Sequence, residues 1–194
     1  DSVAVIGASR DETKRGYQTI RTLLEEGYEG RIYAVNPREK SILGFKCYAG
    51  VSAIAEAVDM ALIATPAKTI PALLEDCGKK GVKGAVVLAG GFGEMGAGGK
   101  QLEETIADVG RRHGIRIIGP NTSGMINLHT AMNLVGLKDA PKGDIALLTQ
   151  SGNMALTLIT EARRKSSKGF SYYVGVGNEA DIKFHEYLEF FRHD

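Results

Sequence analysis

VAVIGASRDETKRG, residues 3–16, decides how the rest of the chain is read. Residues 3–6 are an unbroken β-rich apolar run, Gly7 interrupts it, and the next apolar residues, Ile20, Leu23 and Leu24, recur at intervals of three and four. A second β-rich run follows at residues 32–35, so the opening predicts a strand, a helix and a strand. The alternation continues. Strands are predicted at residues 60–64, 85–88 and 115–118, with helices between them carrying Ile70, Leu73, Leu74 and Cys77, then Leu102, Ile106 and Val109. Five strands with intervening helices predict an α/β fold with a doubly wound parallel sheet of Rossmann-like type.

Gly27, Gly81 and Gly114 each stand where a helix should stop, just ahead of the next strand, as suits a residue that accepts positive φ. Between residues 121 and 143 the pattern lapses into a polar stretch containing Gly and Pro. A strand at 145–149, a helix at 154–164, a strand at 172–176 and a helix at 184–191 then open a new unit. The expected division is therefore a first domain over residues 1–125, a linker over 126–142 and a second unit over 143–194. Two parallel strands and two helices bury too little apolar surface to stand alone. The second unit is thus expected to pack on a partner or to continue, and continuation is the favoured expectation. The chain also begins almost inside a strand, which suggests a few leading residues ahead of it.

Composition narrows the function classes. Apolar residues make up 43% and charged residues 24% of 194, ordinary for a folded protein. Lys and Arg number 24 against 23 Asp and Glu, so no chain-wide basic field exists to draw the protein onto nucleic acid or anionic lipid. Anion binding must be local. Cys47 and Cys77 form no CxxC spacing and have no histidine close by to complete a metal set, so both read as reduced, buried thiols. No apolar run approaches the roughly eighteen residues of a membrane span, and the first is too short for a signal peptide, so the expected location is cytoplasmic.

Four turns carry chemistry. Gly7, Ala8, Ser9 and Arg10, with Gly16 beyond them, join the first strand to the first helix, where backbone N–H groups and a helix amino end face an anion. The spacing is not GxGxxG, so the usual dinucleotide fingerprint is absent, and an ordinary βα turn is the plainer alternative. Asn36 holds the position where an NAD site needs a carboxylate for the ribose hydroxyl; Pro37, Arg38 and Lys40 put two cations there instead. That suits a ribose phosphate, such as the 3′-phosphate of coenzyme A or the 2′-phosphate of NADP; a solvated surface loop is the alternative. Ala89, Gly90 and Gly91 open a stretch to residue 99 that holds six glycines, costly to order, so a ligand is expected to order it. This turn is expected to flank one crevice with the Gly7 turn, the first and fourth strands being taken as neighbours, and Thr65 and Pro66 border the same crevice. Ser151, Gly152 and Asn153 form a strand-to-helix turn able either to nest a phosphate or simply to cap the helix. The four histidines, His113, His129, His185 and His193, show no catalytic set, and no nucleophile elbow, Walker loop or metal cluster is present.

Taken in order, VAVIGAS with the following Gly16, YAVNP, ALIATPA, the GGFGE turn, IRIIGPN and IALLTQSG resemble the alpha portion of ADP-forming acetate-CoA ligase, and more distantly the alpha subunit of succinyl-CoA synthetase. The resemblance covers essentially the whole chain. It implies a CoA-binding domain using Gly7 to Arg10, Pro37 to Lys40, Thr65, Pro66 and Ala89 to Gly91. A second, flavodoxin-like α/β domain is implied, of which only the start is present. The family interconverts acyl-CoA, phosphate and a nucleoside diphosphate with the acid, CoA and the triphosphate, through an acyl phosphate and a phosphorylated histidine. That histidine is expected C-terminal to this chain, so none of the four here inherits its role. The resemblance gives Ser151, Gly152 and Asn153 a phosphate-binding role and makes Asn121 a candidate active-site contact. ATP or ADP and Mg are expected outside this chain, on a beta subunit or a fused ATP-grasp domain. Where relatives read Gly-Pro-Asn-Cys, this chain reads Gly119-Pro120-Asn121-Thr122-Ser123. Two rivals are a free-standing CoA-sensing module and, with less support, an NADP-dependent oxidoreductase.

Overall fold

The structure is a computed structural model that describes residues 1–165 and 168–193. Its first sheet has seven strands. β1 (Ser2–Ile6), β2 (Arg31–Val35), β5 (Met60–Ile63), β6 (Gly84–Val87) and β7 (Arg116–Ile118) are the five predicted ones, all parallel. β3 (Ser41–Ile42) and β4 (Phe45–Tyr48) form a small hairpin that adds β4 alongside β2. The order is β3-β4-β2-β1-β5-β6-β7. One expectation is thereby corrected: β1 and β6 are not neighbours, because β5 lies between them. The reversal point falls between β1 and β5, so the Thr65–Pro66 turn, not the Gly90 turn, stands directly beside Gly7.

Apolar strands buried on both faces need helices on both sides. Helices α2 (Ile70–Lys80) and α3 (Ala97–His113) cover one face, their Ile70, Leu74, Cys77, Ile106 and Val109 packing on Ala4, Ile6, Ile63 and Val87. Gly81 and Gly114 end them in left-handed geometry, at φ 84° and 66°. His113 stays structural: its ring lies over Gly78 and its Nε2 sits 2.7 Å from Glu75 Oε2. On the opposite face α1 (Arg15–Glu25) buries Ile20 and Leu23 against Val3, Val5 and Leu62.

The second sheet runs β10-β11-β8-β9. β10 (Lys142–Thr149) and β11 (Phe170–Gly175) are parallel, as predicted. β8 (Met125–Asn127) and β9 (Met132–Asn133), inside or bordering the stretch expected to be linker, join antiparallel. Helix α4 (Gly152–Arg164) packs Ala155 and Ile159 on this sheet, while Val174 of β11, Val176 just beyond it and Tyr187 of α5 (Phe184–Arg192) add to the core on the α1 side of the first sheet. The two units meet through charge as well. Arg116 of β7 pairs with Asp181 (3.1 Å) and Glu186 (2.7 Å), and Asp181 also accepts from the Ile117 N–H at 2.8 Å.

Candidate ligand-binding edge

The carboxyl ends of the first sheet's parallel strands bring four of the predicted turns onto one edge. Gly7, at φ +90°, sits where a Cβ would lie 2.7 Å from the Ala64 carbonyl oxygen and 3.0 Å from Thr65 Cγ2, so only glycine lets the β1 and β5 turns close on each other. A Cβ on Gly16 would strike the Gly7 carbonyl, so the first turn of α1 lies directly on the loop. That helix starts at Lys14 with no side-chain cap, which leaves its amino end open to an anion.

At the β2 corner Asn36 takes over the work of a brace. Its Nδ2 donates to the Ala8 carbonyl (2.6 Å) and its Oδ1 accepts from the Arg38 N–H (2.8 Å), tying the two turns together. Arg10 pairs with Glu39 at 2.9 Å and donates to the Ser41 carbonyl at 3.2 Å. The one nearby carboxylate is therefore engaged. Arg38 and Lys40 are exposed and, among the described residues, neither side chain has a carboxylate partner. Two unpaired cations beside an amide-lined corner form a local positive site without any chain-wide charge.

Further along the edge, the Thr65 and Thr69 hydroxyls share a hydrogen bond (2.9 Å), and the Thr69 hydroxyl lies 2.7 Å from the Pro66 carbonyl. Ala89 accepts from the Asn121 N–H at 2.8 Å, and a Cβ on Gly90 would lie 3.1 Å from Asn121 Oδ1. Asn121 thus stands at the β6 turn. The glycine-rich stretch, expected to await a ligand for its order, is ordered by side chains of this chain: Glu94 and Glu103 take its N–H groups, and Asn178 donates to both carboxylates. Asn178 was missed in the sequence because it lies 84 residues from Glu94.

Ser151, Gly152 and Asn153 do not join this row of turns. Ser151 Oγ accepts from the Met154 N–H at 3.3 Å and so caps α4. Gly152 and Asn153 line a separate cavity of about 310 Å³ with Arg15, Ser123, Tyr173 and the apolar Val135, Leu137 and Ile159. Arg15 is the link between the two places: it precedes Gly16 in the first turn and donates to the Ser123 carbonyl at 2.7 Å. Burial pulls its guanidinium below the ordinary arginine range, against an opposing pull from Tyr173. The departures at 122 and 123 are also placed. Thr122 donates to the Gly175 carbonyl, and Ser123 shares a 2.5 Å hydrogen bond with Tyr173, whose phenol burial pushes up. Both stitch the turn after β7 to β11. Residue type alone, an arginine one place before a required glycine, was the signal available for Arg15.

An open helix amino end, a positive corner and a row of close-packed turns on one sheet edge give this α/β protein the features that suit a phosphorylated small molecule. Family comparison names it further: residues 1–127 match the CoA binding domain family, to which this chain belongs, and residues 142–194 match the succinyl-CoA ligase like flavodoxin domain. Over 193 residues the chain is 44% identical to acetate–CoA ligase [ADP-forming] I of Archaeoglobus fulgidus, covering 99% of this chain and 28% of that protein. It is 43% identical to the alpha subunit of acetate–CoA ligase [ADP-forming] I of Pyrococcus furiosus, covering 100% of this chain and 43% of that one. Among solved structures, the acetyl-coenzyme A synthetase 1 of Ca. Korarchaeum cryptofilum, described as dinucleotide forming and in complex with phosphate and ADP, superposes with a TM-score of 0.94 at 37% identity. All of this chain and 41% of that one are covered. The chain spans less than half the length of these relatives.

Proposed function

We propose that this chain is the coenzyme A-binding part of a nucleoside-diphosphate-forming acyl-CoA synthetase, which reversibly converts an acid, CoA and ATP to acyl-CoA, ADP and phosphate. The observation that carries the reading is the β2 corner, where Arg38 and Lys40 stand without carboxylate partners among the described residues, on the same edge as the uncapped start of α1. In this reading Arg38 and Lys40, with Pro37 fixing the turn, take the 3′-phosphate. Gly7, Ala8, Ser9, Arg10 and Gly16 surround the diphosphate, where backbone N–H groups and the α1 dipole favour negative charge. Thr65, Pro66, Ala89, Gly90 and Gly91 line the path of the pantetheine arm toward Asn121. Ser151, Gly152 and Asn153 hold phosphate at the start of α4, beside Arg15.

Thioester formation in such an enzyme needs an acyl phosphate: the CoA sulfur bonds to its carbonyl carbon and phosphate leaves. The phosphorylated histidine and the ATP site belong, in this proposal, to further polypeptide, whether fused or a separate beta-type subunit with an ATP-grasp fold. β10 offers the place. Among the described residues it pairs with β11 on one side only, and Ile145, Met154, Leu156 and Leu158 are exposed around it. Residues 143–194 are read as the opening of that second domain. No helix among the described residues is long and apolar enough to cross a membrane.

Calorimetric titration with CoA and with 3′-dephospho-CoA tests the reading. Charge-assisted hydrogen bonds of the kind expected here are worth about 1.5–3 kcal/mol, so the dephospho form should bind roughly ten- to a hundredfold more weakly. Equal affinities would remove the role given to Arg38 and Lys40, and absence of binding would overturn the assignment.

A further inference from the structure

The turn after β6 already holds an anion. Glu94 folds back so that one carboxylate oxygen accepts from the Gly91 N–H (2.5 Å) and the Phe92 N–H (3.2 Å), while the other accepts from Asn178 Nδ2 (2.6 Å). Asn178 belongs to the second unit. It also donates to Glu103 at 2.8 Å, whose same oxygen takes the Gly93 N–H at 3.1 Å, and its own oxygen accepts from Asn121 at 3.3 Å. Three successive backbone donors in the turn after β6 are thus spoken for by two carboxylates that converge on one amide. Like charges this close repel, so the arrangement stands under electrostatic tension. Burial works against the Glu94 charge, but hydrogen bonds from Asn178, Gly91 and Phe92 hold its carboxyl below the usual range.

Position decides what could replace it. Strands in a sheet lie about 4.8 Å apart, so β6 is three spacings, roughly 14 Å, from the β2 corner. A ligand anchored by a ribose phosphate at Arg38 and Lys40 would reach β6 with its pantetheine arm, whose amide carbonyls accept hydrogen bonds without carrying charge. Resting on the coenzyme A reading above, we propose that Glu94 is a resident occupant of the Gly91 and Phe92 N–H groups that yields them to an amide carbonyl of that arm, releasing Asn178 as it leaves. A charged acceptor binds such donors more strongly than a neutral one, so only a ligand anchored elsewhere displaces it. Glu94 then lowers the affinity for the whole coenzyme but not for its nucleotide end, and ligand entry is linked to the grip of the second unit on the turn.

The test crosses two ligands with one substitution in the full chain. Wild type and Glu94→Gln are titrated with CoA and with adenosine 3′,5′-bisphosphate, which keeps the ribose phosphate and lacks the arm. Glu94→Gln should bind CoA about three- to tenfold more tightly and the bisphosphate within about twofold of wild type. In wild type, the amide resonances of Gly91 and Phe92 and the side-chain amide of Asn178 should shift with CoA and stay in place with the bisphosphate. Unchanged or weaker CoA binding by Glu94→Gln, or a stationary Asn178 under saturating CoA, overturns the displacement while leaving coenzyme binding intact. Failure of wild type to bind either compound overturns both.

Discussion

In the first sheet Val3, Ala4, Val5, Ala61, Leu62 and Ile63 are wholly buried, whereas in the second sheet Lys142, Asp144 and Ile145 of β10 are exposed and the rest of that strand is only half covered. The strands compared, β1 with β5 and β10 with β11, pair in parallel, an arrangement that normally requires cover on both faces. The first sheet has that cover from α1 on one side and α2 and α3 on the other. The second borrows part of its packing from the first unit and leaves α4 with Met154, Leu156 and Leu158 outward. The first sheet finds most of its cover within its own unit; the second leaves more of its surface uncovered.

The sharpest way to break this comparison is a matched pair of truncations. Leu62→Ala, in a fully buried site, should lower the free energy of unfolding by about 2–5 kcal/mol, read from denaturant titration. Leu158→Ala, 45% exposed on α4, should change it by less than about 0.5 kcal/mol. Equal losses would mean that the second unit is as closed as the first.

The helix amino ends sharpen the same contrast. α4 is capped by Ser151 Oγ, and Ser151→Ala should cost about 1 kcal/mol. α1 has no such cap at Lys14, so Lys14→Ala should leave stability within about 0.5 kcal/mol. A large loss at Lys14 would show that the open end is not free for a ligand.

The smallest effect is electrostatic. The Glu75 carboxyl is held below its ordinary range first by the hydrogen bond to His113 and then by that to Arg112. A depressed carboxyl contributes stability that is present above its unfolded value, near 4.3, and is lost as pH falls through the folded value. The melting-temperature difference between wild type and Glu75→Gln should therefore be constant above about pH 5 and shrink below about pH 4. Glu186, held down first by the Lys183 N–H and then by Arg116, should give the corresponding curve for the join between the units. A difference that grows toward acid would reverse the sign of either assignment.

How far the sequence could be read follows from which forces are local. The five parallel strands announce themselves because burial on both faces makes them continuous apolar runs, and Gly81 and Gly114 mark helix ends by the backbone geometry they adopt. The β3–β4 hairpin does not: its turn places Leu43 at φ 48° before Gly44 at 85°, and leucine is not a residue that signals positive φ. β8 and β9 are three and two residues long, below the length at which alternation can be recognised. Strand order was misread because periodicity reports that a strand exists and says nothing about its neighbours. The ordering of the glycine-rich turn was assigned to a ligand for a related reason: Asn178 reaches it only through the fold. Of the site, the turn residues were legible from glycine and charge, while the brace formed by Asn36 and the reach of Arg15 to Ser123 required coordinates.

β7 is one of the two edge strands of the first sheet, yet its outward groups are engaged. Asp181 takes the Ile117 N–H, the Ile182 N–H donates to the Ile117 carbonyl at 3.4 Å, and Asn178 and Ala180 donate to the carbonyls of Pro120 and Gly119. The segment 178–182 therefore runs along that margin like a selvedge on woven cloth, woven in from a later stretch of the thread. Exposed strand margins recruit strands from other molecules. Protection of the β7 margin is thus partly a property of residues about sixty positions downstream, and the two units share a hem.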